Sequence, residues 1–229
     1  MSEQKQMPAA DSSEVVVAKA KDFWARNSKL ILGVGGGLLI LVAGFFVYRN
    51  FFQKPKEEKA MAALYKAEEY YRMDSVNLAL NGDGLHSGLL NIISRYSGTD
   101  AANLASFYAG ACYVKSEDFA SAVKYLKKFS TDSKPVQQRA YLLLGDAYAE
   151  QGNAKEALAE YKKSASHFPE DETAASEALF RAAFLSARVL NDNEEAKSLF
   201  TELKQKYAKT VRGQEADLYL AQMGVLNVD

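Results

Sequence analysis

The sequence predicts an all-α chain: a single N-terminal transmembrane helix followed by an α-solenoid of paired helices. Three observations carry this. Nineteen consecutive residues, Leu30 to Tyr48, hold no charge and are bounded by Lys29 and Arg49. Beyond Lys54-Pro55-Lys56, apolar residues recur at helical spacing without strand-like alternation. Within that region the chain resembles itself at a spacing of 35 residues, and self-similarity at a fixed period is the mark of stacked helix pairs.

The opening segment, Met1 to about Glu14, is polar with Pro8 and mixed charges, a composition that predicts a disordered end. Val15 to Lys29 extends the helical pattern toward the membrane, and places Phe23 and Trp24 where aromatic rings meet headgroups. At ~1.5 Å rise per residue the uncharged run reaches roughly 28 Å, close to the ~30 Å hydrocarbon core of a bilayer. A cleaved secretory signal has a shorter apolar run and small residues at its cleavage site. Here the bulky Tyr48-Arg49-Asn50-Phe51-Phe52 follows, so an uncleaved anchor is expected. The expected parts are a cytoplasmic tail over 1–29, the membrane helix over 30–48, a juxtamembrane linker over 49–56 and a repeat domain over 57–229. Lys19, Lys21, Arg26 and Lys29 balance Arg49, Lys54, Lys56 and Lys59, so basic flanks leave the orientation open. Length decides it, because long C-terminal domains translocate largely regardless of charge. The tail is expected inside and the repeat domain outside.

Composition narrows the function classes. With 28 Lys plus Arg against 29 Asp plus Glu, the chain has no global basic field for nucleic acid. The lone Cys112 rules out an intramolecular disulfide and a cysteine zinc site, and its apolar neighbours suit a small hydrophobe. No cysteine lies near the membrane segment to carry a lipid.

Elements of the repeat region follow in order. Met61 to Met73 is expected as a first helix, with a loop through Asn81-Gly82-Asp83-Gly84 and a second helix from Gly88 to Tyr96. The next unit, Asn103 to Lys134, carries Gly110, Tyr113, Ala122 and Leu126. The clearest unit runs from Ala140 to Pro169, with Leu144-Gly145 and Tyr148, a turn at Gly152-Asn153, then Ala157 and Tyr161. A third, Ala178 to Tyr207, keeps Ala196, Phe200 and Leu203 and puts Phe184 where the preceding units have glycine, so looser packing is expected there. Gly213 to Met223 reads as a closing helix over the last apolar face. These residues resemble the tetratricopeptide repeat, in which small residues let two helices pack closely and large ones fill the space beside them. Gly145 and Ala157 would let helix axes approach, and Tyr148 and Tyr161 would supply buried area.

Catalytic patterns are missing. His86 and His167 are the two histidines, and no HExxH, GxSxG, CxxC or Walker pattern occurs. His167 falls at a predicted helix end, where contact with exposed carbonyls suffices to explain it. Gly33, Gly35, Gly36 and Gly37 lie inside the membrane run with no preceding strand, which removes a phosphate loop. Glu57-Glu58, Glu68-Glu69 and Glu194-Glu195 read as solvated helix faces. No enzyme activity, cofactor, metal or small-molecule substrate is expected. Gly33, Gly37 and Gly44 share one face of the membrane helix and would permit close pairing with another such helix.

An uncleaved anchor joined by a charged stretch to a short repeat array resembles the YfgM-type proteins, ancillary subunits of the bacterial SecYEG translocon. Asn81-Gly82-Asp83-Gly84 with Gly88, Asn103-Leu104-Ala105 before Tyr108-Ala109-Gly110, and the unit from Ala140 to Pro169 are similar to the versions of Bacteroidetes-type members. The resemblance implies a single-pass inner-membrane protein whose repeats face the periplasm and scaffold translocon and chaperone contacts. A partner segment would lie in a concave surface lined by first helices. By register the lining residues are Asn103, Phe107, Ala111 and Val114, then Arg139, Leu142, Asp146 and Ala149, then Arg181, Leu185 and Arg188. The basic and asparagine pattern that grips a C-terminal carboxylate is absent, since Phe107, Ala111, Leu142 and Asp146 hold the matching positions. Arg139 and Arg181 beside Leu142 and Leu185 predict a partner with acidic and apolar residues. The competing readings are a homo-oligomeric cell-envelope scaffold paired through the membrane glycines, and an enzyme whose site local sequence does not reveal.

Overall fold

A computed structural model describes residues 12–225, which fall into two units divided after Pro55. Most of the polar opening segment, residues 1–11, and the last four residues, 226–229, lie outside the described residues.

In the first unit, helix α1 (Ser12–Tyr48) takes in the whole uncharged run. Among the described residues it supplies the one stretch long and apolar enough to cross a membrane. Inside a bilayer every backbone N–H and C=O must be satisfied within the segment, which keeps the glycine-rich stretch helical. Its large side chains stand free, with Leu39 71% and Ile40 74% exposed. A Cβ added at Gly33, Gly37 or Gly44 would meet nothing within 4 Å. Arg49–Gln53 continues as a π-helix.

The second unit is built of helices α2 (Lys54–Arg72), α3 (Val76–Asn81), α4 (Leu89–Arg95), α5 (Asp100–Lys115), α6 (Phe119–Leu126), α7 (Lys134–Glu150), α8 (Ala154–His167), α9 (Glu172–Leu185), α10 (Asn193–Tyr207) and α11 (Val211–Gln222). Packing is mainly between sequence neighbours, α5 on α6, α7 on α8 and α9 on α10, as expected of an α-solenoid. The core is accordingly divided into three apolar clusters along the array, one around Leu64, Leu89 and Ile92, one around Ala122 and Leu144, and one around Tyr161, Phe200 and Leu203. Cys112 is fully buried in the first of these, and burial pushes its thiol up to about 11, which leaves it inert as a nucleophile.

One turn recurs. Asp74, Glu117 and Gly152 each take a left-handed conformation just before a second helix, and the next residue donates its N–H to the carbonyl of Tyr70, Tyr113 or Tyr148, five positions back. The turn of the first unit is therefore at Asp74, not at Asn81-Gly82-Asp83-Gly84. Sequence reading placed it at the glycines because glycine is the residue that adopts positive φ without strain; here an aspartate occupies that position. The loop of residues 82–88 instead interrupts the second helix between α3 and α4, closed by a bridge between Gly82 and Ser87. Asp83 holds it, accepting from the Tyr70 hydroxyl at 2.7 Å and from the Leu85 and His86 amides at 2.9 and 2.6 Å.

Close packing within each pair follows the small residues. A Cβ on Gly110 would lie 2.5 Å from Leu126 Cγ, and one on Gly145 would lie 2.5 Å from Tyr161 Cδ1. The neighbour of Gly145 is thus the Tyr161 ring. In the third pair the register differs from the expected one. Phe180, not Phe184, takes the position facing α10, where its ring meets Phe200 edge-on at 6.0 Å. The reason is where the extra residues go: α9 is followed by a π-helix, Ser186–Leu190, and a left-handed Asn191, so the insertion falls after the first helix rather than within it. Phe184 is left 41% exposed.

Helix starts are set by short polar side chains. Thr99, Asp118, Asp171, Asp192 and Thr210 each accept from a backbone N–H in the first turn of the helix they precede. α5 has a further stop: Glu57 accepts from the Asp100 and Ala101 amides, both at 2.8 Å, which ties α2 to the start of α5.

Candidate functional site

The first helices α5, α7 and α9 border a cleft of roughly 730 Å³. Val114, Phe119, Ala149, Phe184, Leu185 and Val189 give it an apolar lining, and Lys115, Glu117, Glu150, Asp146 and Arg181 add charge. Two of the apolar residues are open to solvent, Phe184 at 41% and Val189 at 55%, and the π-helix carries Val189. Phe184 extends an aromatic group in which Phe180 stacks on it at 6.1 Å and Tyr219 meets it edge-on at the same distance.

A ladder of charges crosses these helices. Arg181 pairs with Asp146 of α7 and, through Nε at 2.7 Å, with Glu177 of its own helix. Glu177 also accepts from Arg212 of α11 at 2.6 Å, and Arg212 donates to Glu215 at 2.7 Å. Both rungs between helices, Asp146 to Arg181 and Glu177 to Arg212, join residues 35 positions apart, so the repeat period itself brings the charges together. The Tyr161 hydroxyl donates to Asp146 at 2.9 Å. Burial, then the adjacent carboxylate, holds the Tyr161 hydroxyl above the ordinary tyrosine range, so it remains a donor at neutral pH.

Burial works to raise the Glu177 carboxyl, but hydrogen bonds from Arg212 and Arg181 and their charges outweigh it and hold it below its usual value of 4.5. The sign is that of acid destabilisation. The contribution is complete above the unfolded value and is lost as pH falls through the lower folded one. Melting of the full-length chain in detergent is expected to fall as pH drops below 4.5, and Glu177→Gln to lessen that fall. Parallel profiles for the two proteins would remove Glu177 from the account.

The residues expected to line one groove are distributed differently. Val114, Asp146, Arg181 and Leu185 share the cleft just described, with Ala149 beside them. Arg139 and Leu142 line a separate cleft of roughly 940 Å³ at the starts of α7, α9 and α11, together with Glu177, Arg212 and Glu215. Arg188 borders a smaller one near Tyr219. Asn103 is engaged with the chain itself: its amide donates to Ser130 O at 2.7 Å and its carbonyl accepts from Ser130 N at 3.2 Å. Phe107 packs on Phe129 at 5.2 Å, and Ala111, 2% exposed, belongs to the core. Arg181 is committed to two carboxylates, whereas Arg139 is exposed with no carboxylate partner among the described residues.

Sequence reading did not single out Phe119, Glu117, Glu150 and Val189 of the first cleft. Val189 was hidden because a π-helix is not written in apolar periodicity. The ladder did have a signal, opposite charges at the repeat spacing. Also unforeseen is a groove of roughly 810 Å³ between α8 and α10, with Leu158, Leu179 and Leu199 beneath Lys155, Lys162, Lys163 and Lys206. Among the described residues no group of three or more His, Cys, Asp and Glu could hold a metal ion.

Residues 21–167 match a family described as a tetratricopeptide repeat-like domain, and residues 177–210 match a second, described as a tetratricopeptide repeat. The first match starts ahead of the uncharged run, so that run lies within the matched region. No curated protein matches the sequence.

Proposed function

Since the chain belongs to the tetratricopeptide repeat-like family, we propose that it is a membrane-anchored scaffold on which other proteins dock. Repeats of this family serve as interaction modules, and stacked helix pairs supply extended surfaces for the purpose. The single observation that carries the reading is the 730 Å³ cleft on the first helices, whose apolar lining leaves Phe184 41% and Val189 55% exposed.

The finer reading is an ancillary subunit of the bacterial Sec translocon, held in the inner membrane with its repeats in the periplasm, where they join the translocon to chaperones. Its support is the resemblance of Asn81-Gly82-Asp83-Gly84 with Gly88, of residues 103–110 and of residues 140–169 to YfgM-type proteins. A C-terminal alkaline phosphatase fusion is expected to be active and a β-galactosidase fusion silent. A photo-crosslinker at Val189 is expected to capture translocon or chaperone subunits in vivo. The opposite reporter pattern from an intact chain would reverse the topology and discard the translocon role.

A second reading is a homo-oligomeric envelope scaffold. What favours it is the spacing of Gly33, Gly37 and Gly44 along one face of α1, small residues of the kind that permit close contact between membrane helices. Mass measurement of the full-length chain in detergent separates the two: a dimer or larger that Gly37→Leu dissolves supports pairing through that face.

A further inference from the structure

Resting on the reading of the first-helix cleft as a docking groove, we infer that its occupant is a polypeptide segment with bulky apolar side chains flanked by lysine or arginine. The apolar part follows from the lining. Phe184 and Val189 are exposed, Val114 and Phe119 lie across from them, and the volume of roughly 730 Å³ accommodates several side chains.

The basic part follows from a charge account of the rim. Lys115 is neutralised by Asp74 at 2.6 Å. Arg181 is committed to Asp146 and Glu177. Of its two partners Asp146 lines this cleft and cancels it there, while Glu177, Arg212 and Glu215 line the separate cleft at the helix starts. Glu117 and Glu150 are exposed at the cleft, and neither has a cationic partner among the described residues. Against these stands Arg188, whose guanidinium lies 6.0 Å from the Phe184 ring centroid. The balance is negative, so a cation on the partner is drawn in and a carboxylate repelled. This reverses the preference expected from the sequence, which counted Arg181 as free.

The test uses the full-length chain in dodecyl maltoside, with empty micelles as control, and fluorescence anisotropy of labelled peptides. One peptide carries Leu and Phe flanked by Lys and Arg; a second replaces each cation by Glu; a third keeps the cations and replaces Leu and Phe by Ser. The first is expected to bind at least about ten-fold more tightly than either of the others, and more weakly as salt rises. Glu117→Lys with Glu150→Lys is expected to weaken it about ten-fold, and Phe184→Ser to do so independently. Preference for the Glu peptide, abolished by Phe184→Ser, would overturn the charge inference while leaving the groove in place. Binding to no peptide would overturn the inference as well, and the crosslinks at Val189 would then decide alone whether the docking reading survives. Binding of the first peptide undiminished in every variant would place its site elsewhere and overturn the inference too.

Discussion

Gly145→Leu is expected to lower the stability of the repeat unit by about 2–3 kcal/mol, the upper part of the range for overpacking a tight contact. Even the first side-chain carbon would lie 2.5 Å from Tyr161 Cδ1, well inside van der Waals contact. Escape is blocked on the tyrosine side. Its ring is 5% exposed and its hydroxyl is tied to Asp146, so swinging it away breaks a hydrogen bond and disturbs the Arg181 pair. Leucine gains about 1 kcal/mol of helix propensity over glycine, which offsets only part of the clash. The comparison is Gly152→Asn. Gly152 has φ +76° and nothing within 4 Å of the position a Cβ would take, and asparagine tolerates that conformation better than most residues. Its effect is expected to stay within about 0.5 kcal/mol. Thermal unfolding of the full-length chain in detergent, followed by helicity, should show a drop of several degrees for the first variant and almost none for the second. Equal melting of both would mean that α7 and α8 do not meet at Gly145.

The class of fold was legible because its signals are local. An uncharged run of 19 residues and a 35-residue recurrence of Gly110, Gly145, Ala122 and Ala157 need no tertiary knowledge to read. What was not legible came from backbone conformations that the residue types do not advertise. Asp74 and Glu117 occupy left-handed turn positions that Gly152 holds in the next unit, and only the glycine is visible as a turn in the sequence. The π-helix at Ser186–Leu190 moved the register of the third pair, which exchanged the roles of Phe180 and Phe184 and brought Val189 to the cleft. For the candidate site, register placed Val114, Asp146, Arg181 and Leu185 on a shared cleft. Register says nothing of which cations are already paired, because pairing depends on a neighbouring helix.

That distinction separates Arg181 from Arg139, which the sequence presents as equals. Arg181→Glu is expected to destabilise the array by about 1–3 kcal/mol. The reversed charge would face Asp146 and Glu177, whose side chains are 20% and 26% exposed, and would deprive both of a donor. Removing one partner from a fully buried pair costs about 3–5 kcal/mol. Arg181 is itself 37% exposed, so solvent screening reduces that figure. Tyr161, which donates to the same Asp146 oxygen, then faces an electrostatic environment with one cation fewer. Arg139→Glu is expected to change melting by less than about 0.5 kcal/mol, as exposed substitutions away from such networks do. Arg181→Met, which keeps the apolar stem without adding a carboxylate, should fall between the two. Thermal melts of the three full-length variants in one detergent decide the matter, and near-identical curves would dissolve the ladder as a stabilising device. If the order holds, loss of partner capture in Arg181→Glu reports damage to the wall between α7 and α9. Glu117 and Glu150, exposed and with no ion pair to a cation among the described residues, are then the positions from which the charge preference of the cleft is to be changed.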